Sequence, residues 1–291
     1  MERFRYNGRP TRVTRACRAR RKECLITGTV QRKRHRDSFV FKGTLDRECH
    51  GHFYPFKYCD FPTVINGIDC QPGKLIRLVG TAFADGQWVG FLYEGTIKAD
   101  GEWYSLGPAG ATACSAQAIS GNVIVGNYEN GRTKSAFVYR VETDTFYEIS
   151  YPGATRVSAY GVSQISPFEY LICGSIRIGG QQQAFIAKWN DSTQTLCKFR
   201  FYSLKDGGDT EFRDITIDRK GAILVAGEYA AAGRSTVALS ALIKTFNSRP
   251  SWTIVGGAPA SGRALLGRHF LLGLSGASRQ LESVIWRLHK H

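Results

Sequence analysis

Few residues in this chain have the type and setting to carry acid–base or nucleophilic chemistry. No G-x-S-x-G motif occurs, and none of the six histidines falls in the segments considered next, which speaks against a Ser-His-Asp hydrolase. What remains is a family of six short segments: Arg15-Ala-Cys-Arg18, Asn66-Gly-Ile-Asp69, Gln117-Ala-Ile-Ser120, Tyr160-Gly-Val-Ser163, Arg213-Asp-Ile-Thr216 and Arg263-Ala-Leu-Leu266. Their first residues are Arg15, Asn66, Gln117, Tyr160, Arg213 and Arg263. Gathered at one mouth, these would present three guanidiniums, two amides and a phenol. Such a ring suits a carboxylate or phosphate, because arginine offers paired donors in a fixed fork. The second residue is small in five segments and is Asp214 in the sixth. Beside three arginines, Asp214 would act either as a general base, with Tyr160 as a further acid–base group, or as an ion-pair partner.

Two other groupings could hold ligands. Cys49, His50, His52 and Cys59 are zinc-ligand types, but the spacing C-H-x-H-x6-C matches no common structural pattern, so no metal is expected there. No cofactor fingerprint occurs either: GGAPASGR lacks a strand-to-helix setting, and KDGGD lacks the alternating oxygen ligands of a calcium loop. The net charge is +15, and thirteen of the Lys and Arg residues precede Asp37, against only two acidic ones. Such asymmetry is the electrostatic footprint of an anion-binding surface.

The elements that must position these residues are strands. From Gly126 to Gly174 the chain reads as four short runs, SAFVYRV, TFYEIS, TRVSAYGVS and EYLICG, rich in β-branched and aromatic residues and separated by turn residues. A glycine precedes an apolar strand by eleven residues in six places: Gly28 to Phe39, Gly80 to Phe91, Gly126 to Phe137, Gly174 to Phe185, Gly227 to Ala238 and Gly273 to Val284. The glycines recur every 46 to 53 residues, the period of propeller blades with four strands each. The reading is an all-β, six-bladed β-propeller formed by residues 1–291 as a single domain, with blade boundaries near these glycines. Closure by strands from both termini is expected, the last blade being built from residues 273–291 plus 1–28. The inner strands then run outward from the axis. One face would gather Arg9, Arg12, Arg32, Lys33, Arg34 and Arg36.

GFLY at Gly90 to Tyr93 and YPGAT…AYGVS at Tyr151 to Ser163 resemble the bacterial HAF-type extracellular repeats, over residues 80–187 above all. The resemblance implies the propeller fold and no particular reaction. No apolar run is long enough for a membrane span, and the basic N-terminus lacks the apolar core of a secretory signal. The eight cysteines, set mostly in apolar runs, are therefore expected as free buried thiols in the cytoplasm or another reducing compartment, unlike the extracellular habit of the resembling repeats. A monomer is expected. The expected function is a non-catalytic interaction module whose basic face binds an anionic partner, such as an acidic protein, an assembly component or nucleic acid without base-specific readout. Two alternatives stay open. One is an isomerase, cyclase or lyase acting on a small anionic metabolite in the axial pocket. The other is a lectin-like glycan binder using Trp88, Trp103, Trp189 or Trp252.

Overall fold

The computed structural model describes residues 2–6, 9–18, 23–31, 36–45, 50–70, 75–131, 133–204, 208–230, 236–255, 260–266, 270–275 and 282–288. Within them the apolar runs pair into six antiparallel sheets of four principal strands. Blade 1 comprises Arg9–Arg18, Glu23–Gln31, Arg36–Thr44 and Gly51–Phe56; blade 2, Thr63–Cys70, Ile76–Ala84, Gln87–Gly95 and Glu102–Leu106. Blade 3 comprises Ala113–Ser120, Val123–Asn130, Thr133–Arg140 and Thr145–Ile149; blade 4, Ala154–Ser166, Glu169–Ile178, Gln181–Asn190 and Thr195–Tyr202. Blade 5 comprises Asp209–Ile217, Ile223–Ala230, Val237–Ile243 and Ser251–Val255. Blade 6 comprises Ala260–Leu266, Phe270–Ser275 and Glu282–Arg287, and Glu2–Arg3 pairs with the last of these as the outermost strand. Each first strand packs against the first strand of the next blade, and the sixth against the first, so the six close into a propeller ring with these strands innermost. The middle strands lie between neighbouring blades and are covered on both faces, as in the buried run Ala136–Tyr139. That is why they read as near-continuous apolar runs instead of alternating ones. Six clusters of buried side chains each straddle one junction between blades.

The recurrent glycine has a direct cause. Gly28, Gly80, Gly126 and Gly174 in the second strands lie opposite Phe39, Phe91, Phe137 and Phe185 in the third, and the phenyl ring lies across the glycine. A Cβ on Gly126 would stand 2.5 Å from Cζ of Phe137 and closer still to the carbonyl oxygen of Ser115 on the inner strand. Only hydrogen fits between the ring and that oxygen. In blade 5 the partner of Gly227 is Leu239, one residue beyond the expected Ala238.

Three expectations are corrected. The glycines lie inside the second strand of each blade, because they record hairpin register and not the break between sheets. Consequently the N-terminus gives the last sheet only Glu2–Arg3, while Arg9–Arg18 and Glu23–Gln31 are the first two strands of blade 1. The segment GHFYPF forms the fourth strand of that blade. Finally, Cys17 and Cys70 are not free thiols: they end the inner strands of blades 1 and 2 with Cα atoms 6.3 Å apart and form a disulfide. Among the described residues no helix is long and apolar enough to cross a membrane.

Candidate functional site

Every inner strand carries a β-bulge at the same place, where the register to the second strand shifts. The bulged residues are Thr14, Asn66, Gln117, Tyr160, Arg213 and Arg263. A bulge turns its side chain away from the pleat and so re-aims it, here around the axis and toward neighbouring blades. The Thr14 hydroxyl donates to the carbonyl of Ile65 at 2.6 Å, and the Asn66 amide donates to the carbonyl of Ala116 at 3.0 Å. Gln117 donates to Oγ of Ser115 at 2.8 Å. The Arg213 guanidinium lies over the Tyr160 ring, 4.2 Å from its centroid. Asn66, Gln117, Tyr160, Arg213 and Arg263 thus share one strand position, the bulge, and Arg15 does not share it. It is one step further along its strand, level with Gly67, Ala118, Gly161, Asp214 and Ala264.

Arg15 and Asp214 are therefore the two large occupants of an otherwise small layer, and they meet. The guanidinium pairs with Oδ1 of Asp214, and it also donates to the carbonyls of Tyr160, Gln117 (3.3 Å) and Arg213 (3.2 Å). Oδ1 further accepts the N–H of Ile215 and Oδ2 that of Leu265, each at 2.8 Å. Burial pushes the Asp214 carboxyl above the usual carboxylate range, against the pull of the Arg15 charge and the two amides. Both oxygens are engaged, so Asp214 has the geometry of an ion-pair partner and not of a waiting base. Tyr160 is likewise engaged by its ring, its hydroxyl accepting and donating nothing among the described residues.

A second ionic group escaped the sequence reading. Arg213 donates twice to Oε1 of Glu228, at 3.0 and 2.7 Å, and also contacts Glu211, whose other oxygen accepts from Ser175 at 3.0 Å. Burial pushes Glu211 up, against the adjacent Arg213. For Glu228 burial is outweighed by Arg213 and Arg263 together, which hold its carboxyl at about 2. The overlooked signal was position. Glu228 directly follows the register glycine, as do Thr81, Asn127 and Ser175, and each of those three reaches to the next blade.

The paired layer separates two openings. On the face where the inner strands end, an axial funnel of about 640 Å³ is floored by Arg15 and Asp214. Exposed Arg18, Arg219 and Lys220 stand at its wall, and none of the three has an acidic partner among the described residues. On the opposite face, a cleft of about 410 Å³ between blades 2, 3 and 4 is lined by Asn66, Gln117 and Tyr160, among others. Of the expected basic face, Arg9 is exposed and Arg12 half-buried on this same side; Arg32, Lys33 and Arg34 lie outside the described residues, and Arg36 opens a strand. His50, His52 and Cys59 are exposed, Cys49 lies outside the described residues, and no three potential ligands come together among those described. Burial pushes the thiol of Cys114 up to about 12 and that of fully enclosed Cys173 higher, which makes both inert as nucleophiles. Of the tryptophans, Trp189 is buried, Trp103 and Trp252 pack against other rings, and Trp88 is exposed.

No family model matches the chain, and no curated protein matches it. A protein of unknown function from Dyadobacter fermentans superposes with a TM-score of 0.62 at 10% identity, over 96% of this chain and 94% of that one. TolB from Acinetobacter baumannii superposes with a TM-score of 0.51 at 10% identity, over 83% and 54% of the respective chains. Kuenenia stuttgartiensis hydrazine synthase gives 0.50 at 10% identity, over 92% and 77%. These likenesses show the architecture alone: this chain folds as a six-bladed β-propeller.

Proposed function

We propose that this propeller is a non-catalytic binding module whose axial funnel receives an anionic macromolecular partner. The observation that carries the reading is the uneven use of charge around the axis. Of the three carboxylates on the funnel lining, Asp214 is spent on Arg15, Asp69 accepts the N–H of Gly121 and Asp218 those of Lys220 and Ala222, whereas the side chains of Arg18, Arg219 and Lys220 have no acidic partner among the described residues. Free cations at a concave mouth, in a chain of net charge +15, draw polyanions toward it. The axis offers chemistry little: both oxygens of Asp214 are bonded, and Arg213 is held by Glu228 and Glu211.

The test is binding of a short random DNA duplex and of heparin across a salt series, comparing the wild type with Arg18→Ser/Arg219→Ser/Lys220→Ser. Losing three phosphate contacts should lower the slope of log affinity against log salt by about 2–3. The melting temperature should barely move, because all three side chains are exposed. Unchanged binding in this variant would refute the funnel. Loss confined to Arg9→Ser would place the partner on the other face instead.

A further inference from the structure

The cleft between blades 2, 3 and 4 has a chemistry the funnel lacks. Its charged lining is small: Glu129 and Lys134 pair at 2.6 Å, leaving Arg156 exposed at the edge. The rest is amide, hydroxyl and aromatic. Gln117 spends one N–H on Ser115 and keeps its carbonyl and second N–H; Asn66 keeps its carbonyl. The hydroxyls of Ser135, Tyr128 and Tyr160 and the indole N–H of Trp88 have no partner among the described residues. Trp88 is 44% exposed at the opening and stands against Phe83, ring centroids 5.1 Å apart, in the strands that flank a two-residue turn.

We infer that this cleft is a binding site for a neutral saccharide of two or three residues. Sugar hydroxyls both donate and accept, which matches side-chain amides and hydroxyls offering both in one wall. The apolar C–H face of a pyranose matches an exposed indole held beside the ring of its cross-strand neighbour Phe83. An anionic ligand would meet a single unpaired charge, exposed to solvent and weak there. A volume of about 410 Å³ is in the range of small-ligand sites. The site binds and does not hydrolyse: glycosidic cleavage takes two carboxyl groups, and among the described residues Glu129 is the one carboxylate on this lining, already paired with Lys134.

The experiment is calorimetric titration with maltotriose, cellotriose, chitotriose and mannotriose at low and high salt, on the wild type and three variants. At least one sugar should bind, with the same affinity between about 50 and 500 mM NaCl, since no charge is involved. Trp88→Ala should weaken that sugar about tenfold and Gln117→Ala about three- to tenfold. Both should keep the wild-type melting temperature, being partly exposed. Arg18→Ser/Arg219→Ser/Lys220→Ser should bind the sugar normally, which separates this site from the funnel. Absence of binding by all four sugars would overturn the inference, as would affinity that collapses with salt or is untouched by both cleft substitutions.

Discussion

Arg15 and Asp214 occupy the strand position that glycine or alanine holds in the other four blades, and each is less than a tenth exposed. Ions so deep repay their desolvation only if nearly every donor and acceptor is used. Here the guanidinium is bonded by groups from blades 3, 4 and 5 and the carboxylate by blades 1, 5 and 6, so one pair pins most of the ring. Replacing Arg15 with Met strands a buried carboxylate and should cost about 3–5 kcal/mol in urea denaturation. The double variant Arg15→Met/Asp214→Leu should recover most of that loss, because neither charge is then left alone. If the double variant is no better than the single one, the pair acts by shape and not by charge. Asp214 was legible as the one charged residue in a small column. Arg15 was not, for two reasons. Residue type does not reveal which residue of a strand bulges, so Thr14 and Arg15 exchanged roles by one place. Its partners also lie 102 to 199 residues away, beyond any local pattern.

The hairpin between the second and third strands is the unit that repeats most faithfully, since its register is held by one packing contact, a ring over a glycine. Gly126→Ala should destabilise the protein by about 1–3 kcal/mol, as overpacking does. Pairing it with Phe137→Leu should recover only part of this, because the carbonyl of Ser115 stays in place. Full recovery would mean the ring alone forbids a side chain there. This contact explains why the period was readable: eleven residues is the distance round a hairpin from one member of a cross-strand pair to the other. It also explains why the blade frame was misplaced. A repeat has period but no phase, and the phase is set by turns such as 107–112 and 150–153, where the chain leaves one sheet for the next. The reading of blade 5 slipped by one residue because its glycine faces Leu239, which carries no aromatic marker.

At the scale of the whole ring, the covalent tie and the seam divide the work of closure. The disulfide between Cys17 and Cys70 links neighbouring inner strands across 53 residues, which in a chain-entropy account stabilises the folded state by about 4 kcal/mol at most. A reductant should therefore lower the wild-type melting temperature by up to about 7 °C. Cys17→Ser/Cys70→Ser should melt lower from the outset and ignore the reductant; a wild type equally indifferent would show the thiols unpaired in solution. The seam between blades 6 and 1 has no such tie. Phe4 accepts from the Thr11 hydroxyl and donates to the carbonyl of Ser283, whose hydroxyl in turn bridges Thr11 and Val13. The contacts of Ser283 join residues 270 or more positions apart. A ribosome adding about 5–20 residues per second needs roughly 15–60 s to deliver Ser283 after Thr11. Throughout that interval blade 1 has its apolar side uncovered, and the nascent chain has to be guarded until its own last blade arrives to claim it.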